Sequence, residues 1–372
     1  MPETYFPPPE SRGGWRAALD PDAARQRGGV DVAALDRAWA FVSSLHADSS
    51  LLVVRHGWLC YERYQGLMSP TFNRDMHSCG KAFTSTAVGI LIGERPDLFP
   101  DRLDQLVYDP TYLPPEHLPV HDQRRGRIRL GHLLSHTAGL RGNNGNTWDR
   151  SGPVTLDPPG PDGSFPDHVA YGHASWVHQG THTHADPLWC DPGESYSYAS
   201  AGPLLAGAIV RHLTGLEVAD FMARHVFDPI GWEEWQWDRN PPEPNGSRHT
   251  KAQGGIKPRP RDALRFGYLH LQRGAWYGRQ LIPAWYADAM RRPSDYNPIH
   301  RNYGLQVRLN AGGAAPGAPS DAYGPSGFAD NYIYVVPSLD MVVVRIGGRD
   351  NAQARQTVWP TVLERVTAAG VD

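Results

Sequence analysis

The chain has 372 residues, a formal net charge of −3 and a pI near 6.6. That length suffices for a substantial core and for two lobes sharing one interface, and so weak a charge gives no electrostatic basis for a nucleic-acid partner. No apolar run approaches the roughly 18 residues of a membrane-spanning helix, so no membrane partner is expected. Cys60, Cys79 and Cys190 lie far apart and form no Cys-x-x-Cys, a pattern that suits a reducing cytoplasm. The first nine residues, Met1 to Pro9, show neither a basic region nor an apolar stretch, so no signal peptide is expected.

In chain order, residues 1–31 are rich in Pro, Gly and Arg and read as an N-terminal arm. Apolar spacing at Leu35, Ala38 and Phe41 predicts a helix from Val32 to Ser44. Ser50 to Arg63 alternates around His56-Gly57 and reads as a hairpin. Next comes Met76-His77-Ser78-Cys79-Gly80-Lys81-Ala82-Phe83, opening a run of small and apolar residues that predicts a central helix packed closely on several sides. Ile128 to Leu140 reads as a short helix closed by a glycine turn, and 141–191 as a long loop without periodicity. Helices are expected over Gly202 to Thr214, Arg259 to Arg273 and Thr357 to Ala369, and a hairpin over Tyr332 to Ile346. Strands thus lie near both ends of the sequence. The expected fold is of the α+β type: one antiparallel sheet formed from both chain ends and flanked by helices, with an inserted, mostly helical lobe. The domain expectation is one catalytic unit over 32–372, with a sheet lobe at about 32–80 and 255–372 and a helical lobe at about 81–254.

Ser78 and Lys81 carry the first chemical signal. Residues three apart share a helix face, so Lys81 can reach the Ser78 hydroxyl and take its proton. An N-cap serine followed by an ordinary helical lysine produces the same letters, but lysine is rare here. Only Lys81, Lys251 and Lys257 occur among 36 basic residues, the rest being arginine, which cannot give up its proton. Other hydrolase signatures, G-x-S-x-G and H-E-x-x-H, are absent, as is G-x-G-x-x-G.

Four blocks in order resemble the serine β-lactamase-like superfamily, in its class C β-lactamase, family VIII carboxylesterase and D-aminopeptidase branch. They are Ser78-Cys79-Gly80-Lys81, His132 to Leu140, Pro192 to Ser200, and Tyr332 to Asp340. The resemblance implies a β-lactamase/transpeptidase-like fold and a serine hydrolase in which Ser78 is the nucleophile, Lys81 activates it and Tyr198 shuttles a proton. On sequence alone Tyr196 competes for the last role. Phenol and ammonium side by side can share one proton. Ser200 stands where the family's Tyr-x-Asn motif has Asn, and a serine offers a single, shorter donor. The Lys-Thr-Gly or His-x-Gly before the last hairpin is missing; the text there is Tyr323-Gly324-Pro325-Ser326-Gly327-Phe328-Ala329-Asp330-Asn331. That departure lowers the expectation of a substrate carboxylate. A second oxyanion N–H is expected from between Gly327 and Asp330. Expected substrate contacts are Ser200, Gly327, Phe328, Ala329, Asn331 and Trp189.

Within the loop, His168, His173, His178, His182 and His184, with Asp186, Cys190 and Asp191, admit a zinc site. No compact ligand spacing supports one, so a polar lid is the reading and no metal or other cofactor is expected. Trp148, Trp176 and Trp189 either line an acyl pocket in that lid or pack it onto the body. His136 reads as a turn-stabilising residue. The functional expectation is a cytoplasmic hydrolase of a small-molecule ester, with amidase, β-lactamase or acyltransferase as alternatives on the same residues, and an inactive ligand-binding relative outside enzymes.

Overall fold

The strand Ser49–Arg55 (β1) is buried along its whole length because both its faces are covered. Leu52 and Val54 enter one apolar cluster and Leu51 and Val53 another, as period-two alternation requires. The computed structural model describes residues 4–115, 118, 122–142, 146–156, 188–240, 246–348 and 358–371. Chain order before β1 runs through helices Pro21–Gly28 (α1) and Val32–Leu45 (α2). After β1 come strand Trp58–Gln65 (β2), helix Gly80–Glu94 (α3) and the short helix Leu130–Leu134 (α4). Strands Thr147–Asp149 (β3) and Tyr196–Ser197 (β4) pair with each other before helices Ala201–Thr214 (α5) and Pro260–Leu271 (α6). Strands Arg308–Leu309 (β5), Tyr323–Gly324 (β6), Ser326–Gly327 (β7), Asn331–Val336 (β8) and Met341–Gly347 (β9) follow, then helix Trp359–Thr367 (α7).

Seven strands form one antiparallel sheet in the order β5-β6-β8-β9-β1-β2, with β7 paired to β8 as well. The two ends of the chain therefore meet where β1 lies beside β9, from Ser49 opposite Gly347 to Arg55 opposite Met341. Helices α2 and α7 cover one face; α6 lies against the other, with α3 behind it. The expected mixed fold, an antiparallel sheet from both ends flanked by helices, is what the chain adopts.

Helix α3 runs through the middle of the larger cluster, buried from Gly80 to Ile92. Its small residues permit close approach. A Cβ at Gly80 would lie 2.7 Å from Gly254 Cα, and one at Gly89 2.3 Å from the Tyr286 ring. Phe83 stacks on Phe266 of α6 at 3.8 Å.

The N-terminal arm packs onto the body of the fold. Arg265 donates to Pro7 O at 2.8 Å and pairs with Glu10, and Tyr268 donates to Tyr5 O at 2.9 Å. Within it, α1 is a helix inside what reads as an irregular arm, and its signals are present in the sequence: Asp20 accepts from two backbone N–H groups, Pro21 opens the helix and Gly29 closes it at φ +59°. The short strand β3 is likewise an element inside what reads as loop. Thr357, the expected start of the last helix, and the loop residues His168, His173, Trp176, His178, His182, His184 and Asp186 lie outside the described residues.

Candidate active site

Ser78 sits in a single 3₁₀ turn, His77–Cys79, that leads into α3. The turn is set by Asp75, whose carboxylate accepts the His77 N–H at 2.7 Å, and by Met76 O, which accepts from Cys79 N at 3.1 Å. His77 has φ +51°, a left-handed conformation that a side chain adopts only where its surroundings enforce it. Ser78 is partly exposed, while Lys81, one turn on, is buried. Lys81 Nζ donates to Ser78 Oγ at 3.1 Å and to Gln253 O at 2.8 Å. The carbonyl fixes the amine and leaves its remaining reach to the serine.

Tyr198 closes this group. The centre of its ring is 5.0 Å from Lys81 Nζ, and the residue is partly exposed, like Ser78. Its backbone is held from both sides: Tyr198 N donates to Asn146 O at 3.0 Å, and Ser197 N to His136 O at 2.9 Å. Tyr196, the competing candidate, is fully buried, with its ring 4.8 Å from His300 and 5.8 Å from Tyr303. Burial drives its phenol far above the ordinary value.

His136 bears directly on this arrangement. Its ring lies 4.6 Å from that of Tyr198, and its Nδ1 accepts the Ala199 N–H at 3.2 Å. Nδ1 is therefore unprotonated, and Nε2 carries the hydrogen it shares with the Tyr303 hydroxyl at 3.2 Å. Burial and the nearby Lys81 charge hold the imidazole well below its usual pKa, so it stays neutral. With both nitrogens engaged, His136 braces the Tyr198 segment, as its reading as a structural histidine anticipates.

The opposite wall is β7. A Cβ at Gly327 would lie 2.0 Å from Met76 O and 3.2 Å from Cys79 N, so only glycine lets this strand edge touch the turn that bears Ser78. The Phe328 ring meets that of His77 at 5.6 Å. Gly327 and Phe328 are thus brought to the turn that bears Ser78. Asn331 is not: it is fully buried, with Nδ2 donating to Phe328 O at 2.6 Å and Oδ1 accepting the Gly347 N–H at 3.0 Å. Its amide is used inside the protein, which corrects its place among substrate contacts to one in holding the turn. Ala329 lies in that turn at φ +57°. Ser200 is buried at the start of α5, where its carbonyl accepts from Leu204 N at 3.2 Å. Trp189 is half-buried; its backbone N–H donates to Gly139 O at 3.0 Å, anchoring the loop's return to the turn after α4. Trp148 is 38% exposed, 6.0 Å from His300.

One residue escaped the sequence reading. β7 carries no cation of its own, but Arg308 of β5 supplies one, its Nε donating to Ser326 Oγ at 2.7 Å. Arg308 is half-buried and has no carboxylate within ion-pair distance among the described residues. The strand itself lacks a positive charge, as its sequence reads; the charge beside it comes from a neighbouring strand. His300 nearby is held down to about 4, by burial first and by Arg308 second. Among the described residues no cluster of three or more His, Cys, Asp or Glu is arranged to hold a metal.

Comparison with known proteins accords with this geometry. A penicillin-binding protein homolog from Caulobacter crescentus superposes with a TM-score of 0.66 at 15% identity, covering 91% of this chain and 97% of that one. EstCE1, a hydrolase with promiscuous acyltransferase activity, gives 0.64 at 17% identity, covering 90% and 98%. In sequence, an uncharacterized protein of Alkalihalophilus pseudofirmus is 25% identical over 177 residues, 41% of this chain and 52% of the relative, so the match spans about half the length of that curated protein. The sequence matches the Beta-lactamase family over residues 46–366, which takes in every strand of the central sheet and the whole Ser78–Lys81–Tyr198 group: the chain belongs to the beta-lactamase family of hydrolases.

Proposed function

We propose that the protein is a serine hydrolase that cleaves a small carboxylic ester through an acyl-enzyme on Ser78. The observation that carries this is the buried Lys81 amine 3.1 Å from Ser78 Oγ, with the Tyr198 ring 5.0 Å from the same nitrogen. In the proposed reaction Lys81 and Tyr198 together accept the Ser78 proton as Oγ attacks the carbonyl. They return it to the departing alcohol oxygen as the C–O bond breaks. Water then adds to the acyl-enzyme, losing its proton to the same pair, and Oγ leaves with a proton as the acid is released. The oxyanion is met by the Ser78 N–H at the positive end of α3 and by an N–H from the β7 edge. Ser200 in place of an asparagine favours esters over amides, because it presents one donor where an amide presents two. Three buried, unpaired cysteines fit a reducing compartment and support a cytoplasmic location. No helix among the described residues is long and apolar enough to cross a membrane.

A fluorophosphonate probe tests the reading. Wild type should gain one adduct by intact mass, located on Ser78, and should hydrolyse short-chain aryl esters. Ser78→Ala should lose both the adduct and turnover while staying folded, since a small residue at this turn costs about 1 kcal/mol or less. A folded Ser78→Ala protein that keeps most of its esterase activity would sink the assignment.

A further inference from the structure

The turn joining β7 to β8 is held in a conformation its own residues disfavour. Ala329 and Asp330 both have φ +57°, a left-handed pair that hairpin turns ordinarily fill with Gly or Asn. Strain of this kind persists only where the surroundings over-determine it. Here three successive carbonyls are each gripped by a buried donor. Phe328 O accepts from Asn331 Nδ2, and Ala329 O and Asp330 O both accept from Arg345 Nη1, the latter at 3.0 Å. The Asp330 carboxylate is in turn fixed by the Tyr332 hydroxyl and by His46 Nε2 at 3.0 Å. Gly348 clears the space, since a Cβ there would lie 2.5 Å from Ala329 Cβ.

Arg345 is an unusual residue for its position. It stands on β9, inside the sheet and fully buried, yet no carboxylate lies within ion-pair distance of it among the described residues. Burying a guanidinium is unfavourable unless its donors are used. Among the described residues, Nη1 donates to the two carbonyls of this one turn and Nη2 to Ser49 Oγ at 3.5 Å, while Nε has no partner.

The turn matters because of where it aims the preceding peptide. Ile333 N donates to Pro325 O at 3.2 Å, so the next hydrogen-bonded pair along the ladder is Gly327 with Asn331. The Gly327 carbonyl then points toward β8. A planar trans peptide sends the Phe328 N–H the opposite way, away from β8, on a strand whose Gly327 packs against Met76 and Cys79 of the Ser78 turn.

We propose that Arg345 is a positioning residue for the oxyanion-binding edge: by clamping the carbonyls of Ala329 and Asp330 it holds the Phe328 N–H on the carbonyl attacked by Ser78, with Asn331 as its partner in that task. This rests on the acyl-enzyme reading above. A donor so placed is worth on the order of a hundredfold or more in turnover, and only while its aim is kept.

Matched aryl esters and thionoesters read the aim directly, because sulfur is larger than oxygen and a weaker acceptor, so a well-aimed N–H discriminates against it. In Arg345→Met, kcat for the ester should fall about thirtyfold with KM within about twofold, and the ester-to-thionoester ratio of kcat/KM should fall at least about tenfold. Arg345→Lys, which can still donate to the carbonyls, should recover part of both. Asn331→Ser should lower the ratio in the same direction and decides the matter if Arg345→Met does not fold. A folded variant with lower activity but an unchanged ratio, or with unchanged activity, overturns the positioning role. Failure of the wild type to take the fluorophosphonate on Ser78 would instead overturn the underlying reading, so the two failures are separable.

Discussion

Arg308 Nε donates to Ser326 Oγ at 2.7 Å, and this bond places a cation from the edge strand β5 on the wall of the cleft that lacks one in its own sequence. Its terminal nitrogens face no carboxylate among the described residues. An ester bearing a carboxylate should therefore be preferred over its neutral isostere, against the expectation drawn from the missing Lys-Thr-Gly. Arg308→Gln should lower kcat/KM for the acidic ester about tenfold or more, in keeping with roughly 1.5–3 kcal/mol for a charged hydrogen bond, and leave the neutral ester within about twofold. Kinetics on the matched pair check this; equal losses on both substrates would assign Arg308 to structure alone.

What was legible in the sequence follows from how locally each feature is encoded. Ser78 and Lys81 meet because one helical turn brings them together, and α3 announces its central position through Gly80, Gly89 and its apolar run. The order of motifs points to Tyr198, but what holds its segment beside Lys81, Asn146 and His136, is set by loop packing that leaves no periodic trace. Arg308 and Ser326 are 18 residues apart and meet only through the register of two two-residue strands, Arg308 opposite Gly324. Arg345 sits within an apolar strand run, and its contacts to the Ala329 and Asp330 carbonyls are visible only once the turn before β8 lies over it. α1 is the opposite case: Asp20, Pro21 and Gly29 spelled out its ends, and the Pro/Gly-rich composition of the arm concealed them.

Acid should destabilise the fold earlier than its carboxylates alone would require. Burial lowers His132, His270 and His300 to about 4 and, with the Lys81 charge, holds His136 well below its usual value. A histidine lowered in the native state takes up its proton first in the unfolded chain, near pH 6.5, so stability is complete above that value and falls as pH drops toward 4. His132, His270 and His300 each contribute up to about 3 kcal/mol across that window. Glu217, lowered to about 2 through His249 and Thr250 against the opposing effect of burial, adds a further loss between pH 4.5 and 2. Urea unfolding at pH 7, 5.5 and 4.5 should show a midpoint that falls at each step; a flat profile from pH 7 to 4.5 would contradict the neutral buried histidines.

Gly327→Ala should be nearly inactive. The added Cβ would come within 2.0 Å of Met76 O, a backbone atom with no flexible side chain to yield. β7 must then move off the Ser78 turn, at about 1–3 kcal/mol of overpacking, and its N–H leaves the attacked carbonyl. Loss of fluorophosphonate labelling rate with a modest drop in Tm is the expected pair of results. By contrast, Gly313→Ala adds a Cβ that meets nothing within 4 Å and, despite the strain of its φ of +71°, should leave the labelling rate unchanged.

Lys81 and Tyr198 should behave as one proton-handling unit. Lys81 Nζ contacts Ser78 Oγ and lies 5.0 Å from the Tyr198 ring, so a proton leaving the serine enters a pair of groups rather than a single base. Lys81→Arg keeps the charge and approximate length but cannot release its proton, and should be nearly as damaging as Lys81→Ala. Tyr198→Phe removes only the hydroxyl and should slow acylation or deacylation without weakening substrate binding. If the two act together, the double variant is scarcely worse than the more damaging single one, because the second substitution disables a unit already broken. Single-turnover kinetics on the four proteins decide it. Multiplicative losses would mean two independent bases, and a near-wild-type Tyr198→Phe would move the proton shuttle away from Tyr198.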